Sequence, residues 1–150
     1  MKLRPHHTLD IVSSYGHGAE FKPHPYGHAV HTVAKTILAD LDTPVELIVG
    51  ADEICRPCKH LQPDGLCDDV LSQLDPPISK QKYNDDLDRR LFAYLDIKPG
   101  TAMSVRQFLS IVNEHVPGIE AICTHPKEDS ERRLEGLTRG LIQLGLRSES

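Results

Sequence analysis

The sequence predicts an α+β fold: a mostly helical single domain with a small strand component and a metal-binding cysteine loop. Three observations carry that prediction. Apolar residues recur at helical spacing in several stretches, a β-branched run lies between Pro44 and Gly50, and three of the four cysteines fall within "EICRPCKHLQPDGLC" at residues 53–67. At 150 residues the chain has the length of one domain, 1–150, and can bury a core without covalent staples. Trp is absent and aromatics make up 5% of the residues, so that core has to be built mainly from Leu, Ile and Val.

The elements follow in order. Residues 1 to about 25 read as an irregular, histidine-rich head, with His6, His7, His17 and His24 set among Gly and Pro. From about Tyr26 to Leu41, Val30, Val33, Ala34, Ile37, Leu38 and Leu41 keep a helical period. "TPVELIVG" is a short strand, because Pro44 bars helix continuation and Val45, Leu47, Ile48 and Val49 favour extended chain. The cysteine loop, about 52–68, begins directly after Gly50. The adjacent prolines of "LDPPISKQKY" mark a break. "NDDLDRRLFAYL" is a helix capped by Asn84 or Asp85, with Leu87, Leu91 and Leu95 on one face, and "KPG" stops it. "SVRQFLSIVNEH" opens with Ser104 and Gln107 at capping-box spacing. A C-terminal helix over about 129–146 aligns Leu134, Leu137, Leu141 and Leu144.

Charge and hydropathy exclude several functions. A net charge of -5 argues against nucleic-acid binding, which needs a basic footprint. Uninterrupted apolar runs, such as "LIV" at 47–49, are only a few residues long and far too short to span a membrane. "MKLRPHHTLDIV" lacks the apolar region of a secretory signal, so a cytoplasmic location is the default expectation. In that reducing compartment stable disulfides are rare, and clustered thiols point to metal binding or catalysis.

Cys55 and Cys58 have two residues between them, so both sulfurs can turn towards one point, as in many metal knuckles and iron–sulfur motifs. Cys67 follows after "PDG", a turn that folds the loop back, and tertiary structure would have to deliver Cys123. Four thiolates satisfy an iron–sulfur cluster or tetrahedral zinc, and the uneven spacing matches neither a zinc ribbon nor the two-cluster ferredoxin run. A disulfide, a redox dithiol and inert buried thiols are the remaining readings. His6 and His7, adjacent on an extended head, point to opposite faces, so at most one serves a given site. His60 and His125 lie beside cysteines and are substitute ligands or hydrogen-bond partners of ligands. His24, His28 and His31 are spaced to line one side of a helix. A Cys–His nucleophilic dyad has no local signature, and Asp68/Asp69 and Asp85/Asp86 read as capping and solvated residues. No phosphate-cradling glycine loop is present.

"KLRPHH", "ELIVGADEICRPCKHLQPDGLC", "LDRRLFAYLDIKPG" and "IEAIC" together resemble an uncharacterised prokaryotic family catalogued as a domain of unknown function. The resemblance runs over roughly residues 2–123 and implies a small cytoplasmic iron–sulfur protein whose cysteines gather around one centre. The family carries a cysteine soon after the double histidine, where this chain has Asp10, and another three residues beyond Cys123, where it has Pro126. An Asp10 carboxylate ligand or a more open site follows from those departures. The expectation is therefore one cluster on Cys55, Cys58, Cys67 and Cys123, with His6, His7 and His60 as supporting or substitute ligands. The role would be electron transfer, sensing or an accessory one with a protein redox partner. A zinc-stabilised interaction module and a thiol- or cluster-dependent enzyme are the alternatives.

Overall fold

The computed structural model describes residues 1–124 and 128–149. Along the chain run β1 (Lys2–Leu3), α1 (Pro5–Gly16), α2 (Val30–Ala39), β2 (Pro44–Leu47), β3 (Val70–Leu71), β4 (Ile78–Ser79), α3 (Lys80–Leu95), β5 (Ala102–Ser104), α4 (Val105–Glu114), a 3-10 turn (Ile119–Ala121) and α5 (Ser130–Gln143). The α+β class is as expected. β2 is the central strand of a three-stranded sheet, parallel to β1 with Leu3 opposite Leu47, and antiparallel to β5 with Val45 opposite Met103. β3 and β4 form a separate small ribbon just after the cysteine loop. Leu3, Leu47, Leu91, Phe108, Leu109, Leu137 and Leu141 are fully buried, so aliphatic side chains do dominate the core.

The irregular head is a correction. Residues 5–16 form a regular helix, and its buried face includes His6, Leu9, Ile11 and Val12. No local cap announces it: Arg4 at the N-cap makes no side-chain cap bond. The helix start is satisfied from elsewhere. The Arg4 N–H donates to Asp52 Oδ2 at 2.8 Å and the His6 N–H to Asp88 Oδ1 at 3.0 Å. Both carboxylates also sit favourably at the positive end of the helix dipole.

Other boundaries shift for local reasons. α2 starts at Val30 rather than Tyr26, because Gly27 takes φ +78° and breaks the helical path. α3 starts earlier than Asn84: Ser79 caps it by accepting from the Lys82 N–H at 3.2 Å, so "KQKY" is helical and only the prolines break the chain. The Ser104–Gln107 capping box is present as expected, with both reciprocal bonds formed. α5 is capped by Asp129.

α1 and α5 pack backbone to backbone through glycine. A Cβ on Gly16 would fall on the Gly136 carbonyl, and one on Gly140 on the Val12 carbonyl. Leu137 and Leu141 fill the remainder of that face. Gly140→Ala is therefore expected to push the helices apart at a cost of about 2–3 kcal/mol, despite the better helix propensity of alanine. Urea unfolding against wild type checks it; an unchanged midpoint would mean that the crossing relaxes freely.

Candidate metal centre

A cavity of about 340 Å³ lies between the N-terminal half of α1, the cysteine loop, α3 and the start of α5. All four cysteines line it, and so do His6, His7 and His60. The cysteine loop reaches this wall through its own turns. The Cys58 N–H donates to the Cys55 carbonyl at 2.9 Å, closing the knuckle, and Cys67 returns by bridging to Leu61. The Lys59 N–H donates to the Tyr26 carbonyl at 2.7 Å, which ties the loop to the segment before α2. Cys123, just past the 3-10 turn, is buried.

Both adjacent histidines line the cavity, which corrects the expectation of opposite faces. That geometry belongs to extended chain; on the first turn of α1 neighbouring side chains diverge by about 100° and can share one cavity. Their ring centroids are 4.4 Å apart. A separate buried carboxylate holds each ring. His6 Nδ1 lies 2.9 and 3.0 Å from the two oxygens of Asp88, and His7 Nδ1 lies 2.8 Å from Asp52 Oδ2. Asp88 is fully buried and also accepts from Arg4 Nη1 at 2.9 Å, while Arg4 Nη2 pairs with Asp85 at 3.0 Å. Asp85 thus serves a buried arginine instead of standing as a solvated cap; its neighbour Asp86 is half exposed, as expected.

Electrostatics follow from this burial. Burial opposes ionisation of Asp52, but the His7 charge and hydrogen bond and the amides of Arg4 and Cys55 outweigh it and hold Asp52 down at about 2. Burial likewise opposes the His7 imidazolium, and Asp52 overcomes it, so the His7 pKa is raised. Because the folded Asp52 pKa is depressed, its stabilisation is full above the ordinary aspartate value and is lost as pH falls towards 2. Relative to pH 6, about 2 kcal/mol of stability should disappear by pH 2 through this group. Urea titrations across that range check it; Asp52→Asn should flatten the dependence.

Desolvation pushes Cys55 up to about 11, with the Asp52 charge adding to it. Cys123 is also pushed up to about 11 by burial, against the opposing charge of Arg133. Without a metal both are thiols at neutral pH, a poor state for a nucleophile and one from which a metal must displace the proton.

Among the described residues a compact donor group joins His7, Asp52 and Cys55, whose ligating atoms all lie within 4.8 Å of one another. Among the described residues no three cysteine sulfurs are that close together. Asp10 also lines the cavity, but its Oδ1 is taken by Arg133 at 2.6 Å. His60 is held by Asp68 at 2.8 Å and its ring meets Tyr26 edge-on. The His24–His28–His31 row does not form on one helix: His24 and His28 precede α2 and stack at 4.3 Å, and of the three only His28 lines the cavity. His125 and Pro126 lie outside the described residues.

Sequence reading missed Asp52, Asp88 and Arg133. For Asp88 a signal existed, since it sits on the buried stripe between Leu87 and Leu91, where an unpaired charge would be costly.

Residues 24–127 match the family model described as "Protein of unknown function (DUF1284)". The chain belongs to this family. The DUF1284 match contains all four cysteines with Asp52 and Asp88, whereas Arg4, His6, His7 and Arg133 fall outside it. No curated protein and no solved structure matches the chain. Among the described residues of this DUF1284 protein, no helix is long and apolar enough to cross a membrane.

Proposed function

We propose that this is a cytoplasmic iron–sulfur protein in which Cys55, Cys58, Cys67 and Cys123 hold one cluster, and that it exchanges electrons with a protein partner or senses redox state. The observation that carries the reading is the convergence of all four cysteines on one cavity of about 340 Å³, although Cys123 is 56 residues beyond Cys67. Among the described residues no three cysteine sulfurs lie within 4.8 Å of one another, and we read that spacing towards a cluster rather than a single ion. Tetrahedral zinc at about 2.3 Å from each sulfur would draw the sulfurs to roughly 3.8 Å of one another. A cluster several atoms across holds its thiolates wider.

Protein purified without oxygen should be brown and carry iron and inorganic sulfide in near-equal amounts. A colourless protein with one tightly held zinc would sink the cluster reading. One observation favours that second reading, a zinc-stabilised interaction module: the compact His7, Asp52 and Cys55 group suits a single ion better than a cluster.

A further inference from the structure

The hydrogen bonds around Asp52 separate the roles of the three donors in the compact group. Asp52 Oδ1 accepts from the N–H groups of Ile54 at 3.0 Å and Cys55 at 3.2 Å. Its Oδ2 accepts from the Arg4 N–H and His7 Nδ1, each at 2.8 Å. A carboxylate offers about four lone-pair directions, so all of them are engaged. Asp52 is therefore occupied as an anchor: one side chain fixes the start of α1, the His7 ring and the first turn of the cysteine loop. A carboxylate bonded to one imidazole nitrogen orients the ring and places its proton there. With the proton on Nδ1, His7 keeps a lone pair on Nε2; His7 and Cys55 both line the cavity, and one ring nitrogen lies within 4.8 Å of the Cys55 sulfur.

We propose that His7 is itself a metal ligand, through Nε2, and that Asp52 is its positioning residue, so the centre carries a nitrogen donor beside its thiolates. The inference rests on the cavity being a metal site and not on which metal fills it. His6 does not belong to the compact group; its ring packs against His7, and its Nδ1 is committed to Asp88. His60, held by Asp68 at the exposed side of the loop, is the competing nitrogen donor. If the metal is an iron–sulfur cluster, an imidazole ligand raises its reduction potential above that of a cluster held by thiolates alone.

The full-length chain is purified anaerobically, its iron and zinc are quantified, and X-ray absorption is recorded at the edge of the metal it retains. Where that metal is iron, pulsed electron paramagnetic resonance of the reduced protein looks for coupling to nitrogen. Wild type and His60→Ala are expected to show imidazole scattering, and nitrogen coupling in the iron case. His7→Cys is expected to keep metal within about twofold while losing the nitrogen signature, with a lower potential in the iron case. Asp52→Asn should leave the helical circular dichroism intact but lower metal affinity by about 10–100-fold, because an amide facing Nδ1 favours the wrong tautomer. If His7→Cys does not fold, His7→Gln is read by the same signature. A sulfur-only shell in metal-loaded wild type overturns this inference alone, as does nitrogen that survives loss of His7 or vanishes with His60. A wild type that retains no metal overturns both this inference and the proposed function.

Discussion

Asp88→Ala is expected to destabilise the protein by about 3–5 kcal/mol, the cost typical of removing one partner from a buried ion pair. Asp88 is fully buried and Arg4 is only 2% exposed, so neither reaches water. Asp88 receives a guanidinium N–H, the His6 ring N–H and the His6 backbone N–H. Removing it leaves Arg4 with Asp85 alone and strips a cap from the start of α1. For a domain of this size that corresponds to a drop in melting temperature of roughly 10 °C or more. Asp88→Asn keeps the volume and part of the hydrogen bonding, and should fall between alanine and wild type. An Asp88→Ala protein within 1 kcal/mol of wild type by urea unfolding would show that α1 is held by its packing on α5 rather than by this network.

The second large effect is on metal retention. Cys58→Ser and Cys67→Ser should each weaken metal binding by at least a hundredfold, more than an orienting carboxylate contributes. The check is metal content after dialysis against a chelator, alongside circular dichroism. Where metal binding free energy is also folding free energy, the same variants should lose solubility. The outcome that would favour a thiol enzyme is different: metal content and folding intact, with alkylation of one unusually reactive thiol abolished. The burial of Cys55 and Cys123, both raised to about 11, speaks against that outcome at those two positions.

Much of the architecture is legible in local pattern. The capping box at Ser104, the strand from Pro44 and the leucine stripe of α5 are governed by residues within a few positions of one another; the box forms as expected, while the strand ends at Leu47 and the helix at Gln143, short of Val49 and Leu144. Boundaries move where one local signal overrides another. The prolines at 76 and 77 lie in the connection between β3 and β4 and do not delay α3, because Ser79 supplies its own cap.

The site divides in the same way. "EICRPCKHLQPDGLC" marks a candidate metal loop by spacing alone, since two residues between cysteines and a "PDG" turn set what the backbone can do locally. Spacing does not tie Cys123 to that loop; the cavity receives it because the 3-10 turn before it packs on α5, whose Arg133 lines the same cavity. Helix α1 was illegible for a definite reason. Its capping groups are Asp52 and Asp88, 48 and 82 residues from the amides they accept. No window along the chain contains both halves of those bonds. The residue types that can bind a metal were determined by the sequence itself. Which histidine stands beside Cys55, and which carboxylate bonds its ring, were decided by tertiary structure, because a buried carboxylate acts on whichever N–H groups the fold brings within about 3 Å.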